Sequence, residues 1–243
     1  MCVLGTEFVP AILFTILFFV LEAANPVVLS GKVSGADRFF VMVGLVGGLI
    51  VRPLCSGLAH TFFPMSNRAF VIWWSVDYVS ILVSIMGYAL VMGRFTFYCM
   101  LSQQIFFYIS VLVLFLSTIA AVLFVASPGI RTSSFVLYVL FANGVPYIYQ
   151  LVLSAADVEE YDVPARYLVL WSSMWGLMLL GLVVKTAMVP ERWWPGRFDI
   201  FGASHQWWHL LVNAGAACAY FTWKSYLLWR PTAQCPAQYG WDP

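Results

Sequence analysis

Residues 104–126 read QIFFYISVLVLFLSTIAAVLFVA and contain no Asp, Glu, Lys or Arg. A helix needs about 20 mainly apolar residues to cross the hydrocarbon core of a bilayer. Similar apolar stretches recur along the chain, which has 243 residues, of which 62% are hydrophobic and only 9% are charged. Because a soluble domain carries roughly 25% charged residues, the composition excludes a water-soluble fold and predicts a membrane-embedded chain without a separate soluble domain.

The apolar stretches predict seven membrane-spanning helices when they are scored with a window of about 19 residues. The predicted spans are residues 8–24, 39–63, 70–92, 104–126, 133–153, 167–188 and 203–229. Only helices and closed barrels satisfy the backbone in lipid, and these runs have the length of helices. The predicted fold is therefore all-α: a polytopic, seven-transmembrane helix bundle in which residues 1–243 form a single domain.

Charge and cysteine usage exclude several classes of protein. The formal net charge is +1 and there is no basic block, so we expect no nucleic-acid partner. The five cysteines are odd in number, widely spaced and never in a C-x-x-C pair, which predicts neither a disulfide framework nor a thiolate metal site. Lys and Arg divide almost evenly between the two sets of loops, so the positive-inside rule does not orient the chain.

The only three histidines of the chain are His60, His205 and His209. His60 lies near the end of the second predicted span, Asp77 lies near the start of the third, and His205 and His209 lie at the start of the seventh. In a chain with seven spans these three positions face the same side of the membrane. Ionisable side chains at bilayer depth are costly and usually functional, so this side is the candidate site.

Helical spacing indicates what these side chains do together. Residues at i and i+4 share a helix face, so His205 and His209 project together, as do Ser56 and His60. Three imidazoles leave one position of a tetrahedral zinc ion open, which is typical of catalytic rather than structural sites. Asp77 is then a candidate to hold or deprotonate a water, and Ser56 is a candidate to position a carbonyl or support an oxyanion. Hydrolysis of an ester or amide bond is chemically possible at such a site.

Two further residues are unusual inside predicted spans. Arg52 falls about halfway along the second span, where an unpaired charge costs at least about 2.5 to 3.5 kcal/mol, so we expect it to face an interior cavity. Glu22 on the preceding span is a possible partner for Arg52, although a helix break at Pro53 that admits water is an alternative. Pro146 predicts a kink in the fifth span.

Three motifs in order identify a family. They are Ser56-Gly-Leu-Ala-His60, Asp77-Tyr78 and the run Pro190-Glu-Arg-Trp-Trp-Pro-Gly-Arg-Phe-Asp-Ile-Phe-Gly-Ala-Ser-His-Gln-Trp-Trp-His209. Together these motifs resemble the progestin and adipoQ receptor family, which includes the adiponectin receptors and hemolysin III. The residues Ala59-His-Thr-Phe62 and Met65-Ser66 look closer to the membrane progestin receptor branch. The resemblance implies zinc held by His60, His205 and His209, with Asp77 and Ser56 completing the site.

The resemblance also implies a location and a choice of functions. It implies a multi-pass protein of the plasma membrane or an endomembrane, with the metal end and the N-terminus facing the cytoplasm. Family members are described as receptors for adiponectin or progestogens and are linked to ceramidase-type hydrolysis of a sphingolipid amide. The sequence lacks the polar segment that commonly precedes the first span in relatives. Either the chain is a short member or its start lies upstream, and this argues against a soluble protein ligand.

Three functions therefore remain open at the level of sequence. The first is a zinc-dependent, ceramidase-like hydrolase whose partner is a membrane lipid. The second is a non-catalytic membrane receptor for a small lipid or steroid, with a structural zinc ion. The third is an endomembrane protein that recruits other proteins, which ranks last because the chain has little soluble surface.

Overall fold

The fold is a helical membrane bundle, as the apolar pattern predicted. The computed structural model describes residues 3–24, 26–29, 33–125, 127–155, 165–232 and 235, and all regular secondary structure in these ranges is helical. Five of its helical runs are long and apolar enough to cross a membrane by length and composition: Gly35–Met65, Asn67–Thr96, Leu101–Phe124, Gly129–Leu153 and Arg166–Ala187.

The helices follow the order of the predicted spans. We number them α1 (Val3–Ala24), α2 (Gly35–Leu45), α3 (Arg52–Phe62), α4 (Asn67–Thr96), α5 (Leu101–Phe124), α6 (Pro128–Val139), α7 (Val145–Ala155), α8 (Ala165–Ala187) and α9 (Ser204–Trp229). A π-helical segment joins α2 to α3, and another joins α6 to α7. Within the described ranges, the nine α-helices therefore form seven long helical segments.

Both π-helical segments lie immediately before a proline. Val46–Val51 ends two residues before Pro53, and Leu140–Gly144 ends two residues before Pro146. Proline lacks an N–H group and its ring clashes with the carbonyl four residues earlier, and a π-helical turn is one way to absorb this defect. The irregularity predicted at Pro146 takes this form, and Pro53 has the same effect on the helix that carries His60.

Glycines allow α2, α4 and α9 to approach closely in the core. A Cβ atom added at Gly87 of α4 would lie 3.2 Å from the Cα atom of Gly44. A Cβ atom added at Gly44 would lie 2.8 Å from Val91 Cγ2 and 2.9 Å from Trp223 Cη2. Val91 and Trp223 are both buried. This contact fixes the helix that leads to His60 against α9, which carries the other two histidines.

Ion pairs tie the helices together at the end of the bundle that is remote from the histidines. Asp37 of α2 accepts from Arg94 Nε of α4 at 2.7 Å and lies 3.9 Å from Arg230 Nε, just after α9. Glu22 of α1 lies 3.2 Å from Lys224 Nζ of α9. Glu22 also accepts hydrogen bonds from Tyr220 and from the backbone N–H groups of residues 27 and 29. Each buried carboxylate is therefore fully engaged in the packing of this end.

A disulfide bond joins Cys99, between α4 and α5, to Cys235, beyond α9. The prediction that the cysteines form no disulfide framework was wrong for this pair. The two cysteines are 136 residues apart in the chain, so spacing rules based on nearby cysteines carry no signal, and only the packing of α4 against α9 brings them together. Cys55 and Cys218 are free thiols.

Candidate metal centre

The α3 helix presents a polar stripe toward the interior. Arg52, Ser56 and His60 are spaced four residues apart, so they lie along one face of the helix. Arg52 and Ser56 are buried, with 6% and 3% of their surfaces exposed, and His60 is half-buried. The outward positions of the same helix, Leu54 and Leu58, are exposed apolar residues, as expected for a surface that faces lipid. The stripe therefore points into the bundle.

The N-terminus of α9 is fastened by the loop that precedes it. The Glu191 carboxylate accepts hydrogen bonds from the backbone N–H of Ser204, at 2.8 Å, and from the Ser204 hydroxyl. The Gln206 side chain accepts from Gly202 N at 2.6 Å and donates to the Ile200 carbonyl at 2.8 Å. These bonds satisfy donors that a helix N-terminus leaves open, and they flank His205 on both sides.

The structure brings the three histidines together. The Nε2 atoms of His60 and His205 are 3.3 Å apart, and those of His205 and His209 are 2.9 Å apart. One ring nitrogen from each histidine lies within 4.8 Å of those of the other two. Two helices that are about 145 residues apart in sequence thus contribute to one cluster, which parity and i, i+4 spacing had predicted.

The spacing of the cluster is that of a possible metal site. Metal–nitrogen bonds of about 2.0–2.1 Å at tetrahedral angles place ligand nitrogens about 3.3 Å apart; the Nε2 atoms of His60 and His205 have this separation, and those of His205 and His209 lie closer together. Three ring nitrogens that point at one another cannot all be satisfied by N–H donors from the same rings. A cation between them resolves this conflict, so the donor set and the spacing suit a divalent metal.

Asp77 and Ser56 are separate from the cluster of ligand atoms. The group of converging ligand atoms contains the three histidines only, so Asp77 is not one of them. Asp77 is half-buried on α4, and its charge is close enough to interact with the thiol of Cys55, the residue before Ser56. Asp77 therefore lies on the helix that packs against α3.

Charged side chains surround the cluster. Lys185 of α8 lies over the Trp208 ring at 5.3 Å and interacts electrostatically with His205 and His209. Arg52 also interacts with His209, from deeper in the bundle. In the loop before α9, partial desolvation opposes ionisation of Glu191, but hydrogen bonds from Ser204 dominate and lower the pKa of its carboxyl group. The site is therefore lined by cations as well as carboxylates.

Sequence reasoning missed two contacts near the cluster and proposed one pair that the structure does not contain. Arg52 donates a hydrogen bond to Asn213 Oδ1 on α9, whereas Glu22 is engaged with Lys224 at the other end of the bundle. The proposed Arg52–Glu22 pair was therefore wrong, because Glu22 lies near the end of α1 that is remote from the histidines. Asn213 follows His209 by four residues, and this spacing was the available signal. The contact of Glu191 with Ser204 has no comparable signature.

Comparison with known proteins agrees with the helical membrane fold. Residues 6–220 match the family described as haemolysin-III related. The chain is 35% identical to the heptahelical transmembrane protein ADIPOR3 of Oryza sativa subsp. japonica over 78% of its own length, and 30% identical to ADIPOR2 of the same species over 85%. It is 29% identical to membrane progestin receptor gamma of Mus musculus over 67%.

The extent of these matches differs. The aligned region covers 47% of rice ADIPOR3 and 51% of the mouse receptor, but 91% of rice ADIPOR2. The chain thus spans about half the length of several curated relatives that it matches. The resemblance based on the histidine motifs is confirmed, and the chain belongs to the haemolysin-III related family of membrane proteins, together with proteins named as adiponectin and progestin receptors.

Proposed function

We propose that this protein is a zinc-dependent hydrolase of a lipid amide, of the ceramidase type, and that His60, His205 and His209 hold the metal. The observation that carries the proposal is the convergence of three histidine nitrogens within 4.8 Å of one another. Three protein ligands leave a tetrahedral zinc ion with one open position, which is typical of catalytic zinc. Zinc at such a site polarises a carbonyl group and lowers the pKa of bound water to about 7.

Asp77 and Ser56 supply the remaining groups. The reaction adds water to the amide and yields a carboxylate and a protonated amine. Asp77 acts as the general base that takes the proton of the attacking water, and it returns that proton to the nitrogen that leaves. Ser56 lies one turn from His60 on the same face of α3, and its hydroxyl donates a hydrogen bond to the carbonyl oxygen as negative charge develops there.

A groove on the lipid-facing side of the bundle supports a membrane substrate. It has a volume of about 320 Å³ and an apolar lining contributed by α3, α4, the end of α5 and the π-helical segment before α3. Two of its lining residues, Cys55 and Val76, directly precede Ser56 and Asp77 in the chain. An acyl chain can occupy this groove without leaving the bilayer.

The disulfide supports an orientation with the metal site in the cytoplasm. Disulfides persist in oxidising compartments and are rare in the cytosol. Cys99 follows the end of α4, and His60 lies just before the start of the same helix. Since α4 crosses the bundle once, the disulfide and the histidines lie at opposite ends. The disulfide end faces the exterior or an organelle lumen, and the histidine end faces the cytoplasm.

Turnover of ceramide by purified, zinc-loaded protein tests the proposed reaction. Removal of a general base typically lowers a rate by about 10²- to 10⁴-fold, so Asp77→Asn should lose turnover while its zinc content stays the same. Ser56→Ala should also lose turnover. Ser117→Ala is the matched control, because the Ser117 hydroxyl only bonds its own helix backbone on α5. If Asp77→Asn retains the wild-type rate, Asp77 is not the base.

A receptor with structural zinc is the second candidate, favoured by the likeness to membrane progestin receptor gamma. In this case the metal ion links α3 to α9, and a steroid or lipid occupies the interior of the helix bundle. The same protein preparation separates the two functions. Saturable progesterone binding that persists in zinc-loaded Asp77→Asn, with no ceramide turnover by the wild type, would favour the receptor over the hydrolase.

A further inference from the structure

The loop between α8 and α9, residues 188–203, exposes large aromatic side chains. Trp193 and Trp194 have 64% and 50% of their surfaces exposed, and Phe201 has 76%. The backbone N–H groups of Trp193 and Trp194 both donate to the Pro190 carbonyl, so this part of the loop is a compact turn. Exposed apolar patches with a polar rim usually mark a contact with a membrane or with another protein.

The loop lies at the boundary between the bilayer and water. It follows the apolar run Arg166–Ala187, which is long enough to cross a membrane, and it leads directly into α9. Hydrogen bonds from Ser204 to Glu191 and from Gly202 to Gln206 hold the loop against the start of α9. Tryptophan is enriched at this boundary, where its amphipathic ring lies at the level of the lipid headgroups. The membrane is therefore the surface that these aromatic side chains fit.

Exposed cations accompany the aromatic side chains. Arg192 and Arg197 are both exposed, as is Lys185 at the end of α8. Among the described residues, no carboxylate oxygen lies within the 4.0 Å of an ion pair with either arginine. The carboxylate of Glu191 is held by the start of α9, and Asp199 is the other acidic residue of the loop. Positive charge therefore exceeds negative charge on this surface.

Cations at the opposite end of the bundle are neutralised by carboxylates of the chain itself. Arg94 pairs with Asp37 at 2.7 Å, and Arg230 lies 3.9 Å from the same carboxylate. Lys224 pairs with Glu22 at 3.2 Å. The arginines of the α8–α9 loop differ from this pattern, so their charge remains available to a ligand that carries the opposite sign.

We propose that residues 188–203 form a docking surface for the headgroups of anionic phospholipids. Trp193 and Trp194 lie among the headgroups, and Arg192 and Arg197 bind the phosphate and its neighbouring acidic group. A guanidinium group matches the geometry of a phosphate in a bidentate pair, and anionic leaflets attract basic segments beside membrane-spanning helices. Phosphatidylcholine has the same phosphate but no net charge, so the surface should prefer phosphatidylserine.

The inference goes beyond the proposed hydrolase and needs neither a metal nor turnover. The surface is joined through Glu191 to Ser204, the residue before His205, so a bound headgroup contacts the segment that positions one of the histidines. Binding itself uses Arg192 and Arg197, which are not part of the histidine cluster. A protein that never hydrolysed ceramide would still prefer anionic lipids, and the two proposals can therefore fail separately.

Quenching of tryptophan fluorescence by brominated lipids tests the inference, because Trp193 and Trp194 are reporters within the surface. Brominated phosphatidylserine or brominated phosphatidylcholine is titrated into phosphatidylcholine nanodiscs that hold the full chain. The quenching at the loop is the difference between the wild type and Trp193→Phe/Trp194→Phe. Each interfacial cation contributes roughly fivefold to binding, so the serine lipid should half-quench the loop at a roughly 5- to 30-fold lower mole fraction.

Three variants assign this preference to the two arginines. Arg192→Gln/Arg197→Gln should bring the two titrations together, whereas Arg192→Lys/Arg197→Lys keeps the charge and should retain most of the preference for the serine lipid. Arg166→Gln is the matched control, because Arg166 is an exposed cation at the other end of α8, and its titrations should equal those of the wild type. The same results are expected after the protein has been treated with a chelator.

Three results would overturn the inference. Equal titrations of the two lipids in the wild type would show that the surface does not select charge. A preference for the serine lipid that persists in Arg192→Gln/Arg197→Gln would place the selection elsewhere. Loop tryptophans that neither lipid quenches would face water or another protein rather than the membrane.

Discussion

Adding one methyl group at Gly44 tests the packing that positions the two halves of the histidine cluster. The Cβ atom of Gly44→Ala would lie 2.8 Å from Val91 Cγ2 and 2.9 Å from Trp223 Cη2. Carbon atoms in contact normally stay about 3.5–4.0 Å apart, so both contacts are too short by about 0.6 Å or more. Val91 and Trp223 have 0% and 1% of their surfaces exposed, so neither side chain has room to withdraw.

Overpacking of a buried core typically costs about 1–3 kcal/mol. For a chain of this size each kcal/mol lowers the melting temperature by roughly 2–4 °C. Gly44→Ala should therefore melt roughly 2–12 °C below the wild type, as measured by thermal unfolding of purified protein in detergent with tryptophan fluorescence. Gly176→Ala is the matched control, because a Cβ atom at Gly176 of α8 meets no atom within 4 Å.

The melting temperature of Gly176→Ala should equal or slightly exceed that of the wild type, because alanine stabilises a helix by up to about 1 kcal/mol relative to glycine. The packing argument would be refuted if Gly44→Ala melted within 1 °C of the wild type, or if both variants changed by the same amount. A selective loss at Gly44 would show that α2, α4 and α9 meet at the glycine contact in the membrane-embedded protein.

Two other predictions concern the ends of the bundle. The Glu191 carboxylate has a pKa below its usual 4.5 because Ser204 donates to it, so its contribution to stability should be present above about pH 5 and should be lost as the pH falls below 4.5. In Glu191→Gln the fall in melting temperature that this carboxylate causes at acidic pH should be missing. If the melting temperatures of Glu191→Gln and the wild type depend on pH in the same way, the role of Glu191 is contradicted. Cys99→Ser should free the thiol of Cys235. A membrane-impermeant maleimide should then label this thiol from outside intact cells or from the lumen of sealed vesicles. Labelling only from the cytosolic side would contradict the proposed orientation.

Much of the architecture could be predicted because the bilayer imposes a simple rule on sequence. Runs such as residues 104–126 have to be helical in lipid, and the seven predicted spans correspond in order to the seven long helical segments. The π-helical segments were not predicted, since their hydrogen-bond shift has no distinct sequence pattern. The prolines at 53 and 146 marked where the irregularities lie but did not specify their form.

The candidate site was accessible to sequence reasoning for a different reason. His60, His205 and His209 are the only histidines of the chain, and span parity with i, i+4 spacing is enough to place them on one side of the membrane. The partner of Arg52 was missed because a contact across 161 residues depends on which helices pack together. The same limit applies to the Cys99–Cys235 disulfide, and proximity along the chain was a misleading guide to the partner of Glu22.

Elemental analysis of the purified protein tests the metal site most directly. We expect one zinc ion per wild-type chain and less than a tenth of that in a His205→Ala/His209→Ala double variant that still elutes as a folded, monodisperse species. Ser117→Ala should retain the full zinc content. Zinc below one tenth of an equivalent in wild-type protein supplied with the metal, or equal zinc in the wild type and the double variant, would contradict a metal site formed by these three histidines.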